Sequence, residues 1–68
     1  MSKKLELQPL EVLIIQLIAE EKTNRVIAKE LNYSQRMVEY YIKKITEKLN
    51  VQTRFGIIYK ACQLKIIK

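Results

Sequence analysis

Apolar residues recur at helical spacing in four stretches, each separated from the next by a short polar break. Leu10, Leu13, Ile14, Leu17 and Ile18 fall at i, i+3, i+4, i+7 and i+8, which predicts one stripe along a first helix. Pro9 suits the opening position of that helix, where a missing N–H costs nothing. Glu11 stands where a capping-box acid reaches back to the N-terminal amides. Gln8 is a poor N-cap, so the box is expected to be half made. Lys22-Thr23-Asn24 breaks the rhythm, and Thr23 or Asn24 can cap a second, shorter helix through Leu31 with Val26, Ile27 and Leu31 turned inward. Ala28 on that helix would let a neighbour approach closely.

Asn32-Tyr33-Ser34 is the next interruption. Ser34 is the expected N-cap of a third helix, with Tyr33 placed to pack on Val38 as a hydrophobic staple. Val38, Tyr41, Ile42, Ile45 and Leu49 then form an apolar stripe, and Arg36, Glu39, Tyr40, Lys43 and Glu47 fall on the opposite, wet face. Tyr40 and Tyr41 are adjacent and cannot face the same way; Tyr41 is assigned to the core and Tyr40 to the surface. Asn50 tolerates the left-handed conformation that ends a helix. Thr53 opens a last helix whose Ile57, Ile58, Ala61, Cys62 and Leu64 can face inward or toward a partner. The expected fold is all-α: a four-helix bundle containing a helix-turn-helix, forming a single domain over residues 1–68 with its core in 7–64. No repeat, low-complexity run or linker interrupts it.

Sixty-eight residues close only one small core. Domains of this size usually rely on disulfides, a metal or a partner subunit. Cys62 is the lone cysteine and the chain has neither His nor Asp, so self-association is the remaining support and a homodimer is expected. The same absences remove an imidazole base, a Ser/His/Asp triad and any ordinary zinc or calcium cage. No enzyme activity, cofactor, metal or small-molecule substrate is therefore expected. A single unpaired cysteine fits a reducing compartment, and the cytoplasm is the expected location. Cys62 itself is read as a small buried hydrophobe near the dimer contact, with a redox switch or inter-subunit disulfide as the lesser alternative.

The formal net charge of +6 favours a polyanionic partner, nucleic acid first. A membrane surface is the rival. However, the longest apolar runs, Val12 to Ile15 and Ile57 to Tyr59, fall far short of the ~18 residues a spanning helix needs. Met1-Ser2-Lys3-Lys4 precedes no apolar segment of the kind that marks a secretory signal.

Two helices joined by a short turn, the second longer and basic, match the geometry that places one helix in the ~12 Å major groove of double-stranded DNA. Arg36, Tyr40 and Lys43 on the wet face of Ser34–Leu49 could then reach base edges or phosphates. Lys43, Lys44 and Lys48 would otherwise read as a solvated helix face. The basic ends at Lys3-Lys4 and Lys65–Lys68 read as solubilising tails.

From Leu7 to Arg54 the chain resembles the LuxR/GerE-type helix-turn-helix of bacterial transcription regulators, and the helix after Arg54 is similar to that family's dimerisation helix. The resemblance rests on Leu7-Gln8-Pro9-Leu10-Glu11, Leu17-Ile18-Ala19-Glu20, Asn24-Arg25-Val26-Ile27-Ala28, Ser34-Gln35-Arg36-Met37-Val38 and Lys48-Leu49-Asn50-Val51-Gln52-Thr53-Arg54. It implies a DNA-binding transcription regulator that dimerises through the last helix. In that reading Arg36, Glu39, Tyr40 and Lys43 read bases, and Thr23, Asn24, Arg25, Ser34, Gln35 and Lys44 hold phosphates. A helix N-terminus with free amides and a cation binds phosphate readily, which supports Asn24 and Arg25 on physical grounds as well.

The departures from the family pattern are Glu39 where Lys is usual, Tyr41 where His is usual, Met37 in place of a Thr, and Gly56 in place of a capping-box Glu. Glu39 repels phosphate but can accept a hydrogen bond from cytosine N4, so it either specifies a cytosine or points away from DNA. Gly56 is expected to weaken the start of the last helix by roughly 1 kcal/mol. The alternative function is a protein-interaction module, a degenerate helix-turn-helix that modulates another regulator without reading DNA. A stand-alone protein and the C-terminal domain of a longer regulator fit these residues equally.

Overall fold

The computed structural model describes residues 6–67. They form four helices, α1 (Pro9–Ala19), α2 (Asn24–Leu31), α3 (Gln35–Leu49) and α4 (Arg54–Gln63), with no strand among the described residues. The all-α, four-helix expectation holds. Lys3, Lys4 and Lys68, in the basic ends, lie outside the described residues, and Lys65 is exposed.

Each start is set by local chemistry. Pro9 opens α1, and the Gln8 N–H donates to Glu11 Oε1 at 2.7 Å, which is the acid half of the capping box. At the other three helices a hydroxyl accepts from the third residue of the first turn. Thr23 takes the Val26 amide at 3.2 Å, Ser34 the Met37 amide at 3.1 Å and Thr53 the Gly56 amide at 2.9 Å.

Each end is built alike. Glu21, Asn32, Asn50 and Lys65 have φ between 58° and 65°, and the amide after each returns to a carbonyl five residues earlier, the 6→1 bond of a Schellman motif. Asn32 and Asn50 adopt this conformation at little cost. Glu21 and Lys65 carry a full side chain into it, at a cost of about 1 kcal/mol each.

The core is Ile14, Ile15, Leu17 and Ile18 from α1, Ile27 and Ala28 from α2, Val38, Ile45 and Leu49 from α3, and Ile57 and Ala61 from α4. Two expected core residues are corrected. Leu13 and Val26 are both exposed, and Ile15 takes the inward place on α1. The α1 stripe is rotated because the helix must bury a face toward α3 and α4 together, and Ile15 lies on that side. Ala28 is buried where α2 meets α3, as a close helix contact needs. Tyr33 stacks on Tyr41 with ring centroids 6.1 Å apart, one turn beyond the predicted staple at Val38.

Gly56 has a steric reason as well as a cost. A Cβ there would lie 3.0 Å from Val51 Cβ, because the chain between α3 and α4 passes over the first turn of α4.

One buried charge ties the two ends of the fold. Glu11 is 1% exposed, and its Oε1 accepts from Lys48 Nζ at 2.8 Å as well as from the Gln8 amide. Burial pushes the carboxyl pKa up, but the Lys48 and Gln8 hydrogen bonds and the positive charges of Lys48 and Lys44 outweigh it. The pKa therefore lies below the ordinary carboxylate value. The contact pins the C-terminal end of α3 to the N-terminal end of α1 and so fixes how α3 is presented.

Candidate nucleic-acid interface

Val38, Ile45 and Leu49 anchor α3 in the core, with Tyr41 and Ile42 half-buried beside them. The opposite face is therefore presented outward, and Arg36, Glu39, Tyr40, Lys43 and Glu47 are all exposed on it. Glu39 does not turn back into the body. Tyr40 is held from two sides: it meets Tyr41 edge-on with centroids 5.5 Å apart, and Lys44 Nζ sits 5.5 Å from its ring centroid. Edge-to-face and cation–π contacts both favour this position of the ring.

The predicted phosphate residues divide into two groups. Thr23, Asn24, Arg25 and Gln35 line one open groove, together with Lys22, Arg54 and Phe55, where the starts of α2, α3 and α4 converge. The Ser34 and Thr23 hydroxyls each accept one helix-cap hydrogen bond, which leaves the O–H free to donate. Lys44 is engaged with Tyr40.

Cation placement is the clearest electrostatic feature. The three arginines of the chain, Arg25, Arg36 and Arg54, occupy the first turns of α2, α3 and α4, and none of those turns contains an acid. A cation there adds to the positive end of the helix dipole and costs stability unless an anion is nearby. Among the described residues, ion pairs engage Lys22 with Glu30 at 2.8 Å and Lys48 with Glu11 at 2.8 Å, whereas none engages Arg25, Arg36 or Lys43.

The family model of the bacterial regulatory proteins, luxR family (GerE), matches residues 5–61. The chain belongs to the LuxR family. It is thus a helix-turn-helix domain of a family of DNA-binding transcription regulators, with α2 and α3 as the helix pair. The crystal structure of the response regulator ChrA from a heme-sensing two-component system is similar to this LuxR-family domain. The TM-score is 0.91 and the sequence identity 29%, over 97% of this chain and 33% of that one. The domain therefore spans about a third of that regulator's length. None of the curated proteins matches it.

Sequence reasoning about the last helix needs correction. Ile57 and Ala61 are fully buried in the domain's own core, so neither is available to a partner. Ile58 is half-buried, while Leu64 lies just past the helix end and is exposed. Cys62 is exposed too, so the burial expected for it near a dimer contact would have to come from a partner. The outward stripe of α4 is instead Phe55, Tyr59 and Cys62, at i, i+4 and i+7, with Phe55 77% and Tyr59 60% exposed. Their spacing was visible in the sequence. Only the burial of the other stripe against α1 and α3 shows which one is left over.

Arg54 was also missed as more than part of a signature. Its guanidinium donates to Asn24 Oδ1 and, at 2.8 Å, to the Lys22 carbonyl. A cation at the first position of a helix is the wrong sign for the dipole, and that was the available hint that it works elsewhere. No described helix is long and apolar enough to cross a membrane.

Proposed function

We propose that this LuxR-family domain inserts α3 in the major groove of double-stranded DNA and acts as a homodimeric, cytoplasmic transcription regulator of a bacterium. The observation that carries the reading is the outward face of α3. Arg36, Glu39, Tyr40 and Lys43 stand exposed together on it, with neither Arg36 nor Lys43 in an ion pair. In this reading those four side chains discriminate bases. The groove at the helix starts, with Thr23, Asn24, Arg25 and Gln35, takes phosphate with Ser34 beside it, and Lys44, farther along α3, takes a separate phosphate. Phosphate contacts fix register while base contacts specify, so the two sets make separable contributions. No bond is made or broken, and no cofactor is involved.

Dimerisation is assigned to α4, through Phe55, Tyr59 and Cys62, with Ile58 and Leu64 at the margins. Two-fold symmetry then predicts an inverted repeat with half-site centres ~10 bp apart. The similarity to ChrA, a response regulator of a heme-sensing two-component system, supports a role in signal-dependent transcription.

The deciding experiment is a titration of labelled duplex at two salt concentrations. The expected result is an affinity that falls steeply with salt, and Arg25→Ala should reduce the slope by about one unit on every sequence. Selection of bound duplexes from a random pool then yields the half-site and its spacing. On that operator Lys43→Ala should cost ~1–3 kcal/mol and relax specificity at one position. The exposed carboxylate of Glu39 on the reading face favours one competing reading, a module that pairs with another regulator and leaves DNA unread. An absence of any salt-dependent shift would establish it.

A further inference from the structure

The geometry points to Arg54 as the positioning residue of the phosphate groove: it fixes which edge of the Asn24 amide faces an incoming phosphate. This rests on the DNA-binding reading above and adds a residue to it.

Asn24 is the first residue of α2, and its amide has one accepting and one donating edge. A guanidinium can only donate. Because Arg54 donates to Asn24 Oδ1, the accepting edge is consumed and Nδ2 is left as the edge free for another partner. A free Nδ2–H donor suits a phosphate oxygen and is useless to a cation. The same guanidinium donates to the Lys22 carbonyl at 2.8 Å, in the turn that leads into α2. One planar fork thus holds both the approach to the helix and its first side chain, which a point-like ammonium cannot do in the same way.

The neighbours complete the arrangement. The Val26 amide is taken by Thr23 and the Ile27 amide by the Thr23 carbonyl. The amides of Asn24 and Arg25 remain as orphan donors of the first turn. Asn24, Arg25, Gln35 and Arg54 line the same groove. Arg54 also stands at the first position of α4, so the helix assigned to dimerisation and the helix assigned to phosphate are joined by this one side chain.

The test uses the full chain and a labelled duplex of mixed sequence, followed by fluorescence anisotropy between about 50 and 200 mM salt. Arg54→Lys keeps the charge but not the fork, and it should weaken binding about five- to tenfold, the worth of roughly one well-placed hydrogen bond. Asn24→Ala should lose a similar factor. The double variant should bind no worse than the weaker single variant, because both remove the same donor. Salt slopes should stay at the wild-type value throughout. Coupling in binding without a matching coupled loss of Tm separates this role from a merely structural one, which would lower both together.

Should Arg54→Lys fail to fold by circular dichroism, Asn24→Asp decides alone. It keeps two acceptor oxygens for Arg54 and offers no donor, so it should fold normally and bind DNA more weakly than Asn24→Ala. Losses that multiply in the double variant, wild-type binding by Arg54→Lys, or wild-type binding by Asn24→Asp would each overturn the assignment while leaving DNA binding intact. A wild-type chain that binds no duplex at low salt would instead overturn the DNA reading and this assignment with it.

Discussion

Lys48→Met should destabilise the domain strongly at neutral pH and hardly at all in acid. The variant keeps most of the apolar stem of Lys48 but removes the ammonium that sits 2.8 Å from Glu11 Oε1. What remains is a carboxylate 2% exposed with the Gln8 amide as its hydrogen-bond donor, and with Oε2 already buried without a partner. Breaking a fully buried pair by deleting one member costs about 3–5 kcal/mol. The Lys48 side chain is 30% exposed, so solvent already screens part of the attraction, and about 2 kcal/mol is the appropriate figure. In a domain this small that corresponds to a fall of roughly 8–16 °C in Tm.

The pH dependence separates charge from packing. In the wild type the Glu11 pKa is lowered, so its contribution is fully present above the ordinary value of 4.5 and is lost as pH falls through the folded pKa. In Lys48→Met burial is opposed only by the Gln8 hydrogen bond and the Lys44 charge, so the folded pKa rises relative to the wild type and acid takes less stability from the variant. Thermal melts from neutral pH down to about pH 3 should therefore converge, the wild type losing stability on acidification and the variant losing less. A deficit of the same size at every pH would refute this account and assign the loss to the Lys48 stem. Replacing both partners, as Glu11→Leu with Lys48→Met, should recover most of the loss, because an apolar pair of similar volume needs no solvation.

Three further outcomes follow from the same structure. Arg25→Glu should raise Tm, by about 0.3–1 kcal/mol of stability, since it places an acid in the first turn of α2 where none exists, and it should abolish duplex binding; melting and anisotropy on one preparation check both signs. Glu21→Gly should stabilise by about 1 kcal/mol in a denaturant titration, because φ is 65° there and glycine adopts that conformation without a Cβ penalty. Tyr59→Glu should leave the monomer folded, as the ring is 60% exposed, and shift sedimentation equilibrium toward monomer; it should weaken binding to a duplex with two half-sites and spare binding to one. An unchanged association constant would remove α4 from the dimer contact.

Much of the fold was legible because its signals are local. Pro9, Thr23, Ser34, Asn50 and Thr53 each act on amides or carbonyls within a turn of themselves, so sequence alone placed the helix boundaries. The outward face of α3 was legible for a related reason. Its apolar stripe and its charged stripe are cleanly opposed, leaving one way to bury it. On α1 and α4 the apolar residues are spread more widely around the helix. Which of Leu13 and Ile15, or of Ile57 and Tyr59, faces the core then depends on where the other helices lie. The Glu11–Lys48 pair is 37 residues apart in sequence and the Arg54–Asn24 contact 30. No periodicity encodes either, and both need the assembled fold to bring the partners together.

The placement of the arginines turns these separate features into one argument about why the domain is built at some cost to its own stability. A sequence selected only to fold would put Asp or Glu in the first turn of each helix, yet α2, α3 and α4 each have an arginine there and no acid. The sole acid in any first turn is Glu11, and it is buried at the far end of α3 from Arg36, paired with Lys48. The one first-turn acid is thus used where it holds α3 in place, while Glu21, in the turn before α2, lines the groove of helix starts beside Lys22. In the DNA-binding reading proposed above, a phosphate at Arg25 would relieve its unfavourable dipole contact, so part of the binding energy would be the release of repulsion already present in the free domain. Arg54 differs from the other two because the Lys22 carbonyl and Asn24 already occupy two of its five donors. Under that reading, bound anions should raise Tm mainly through Arg25, and less through Arg54, whose engaged donors leave fewer N–H groups free.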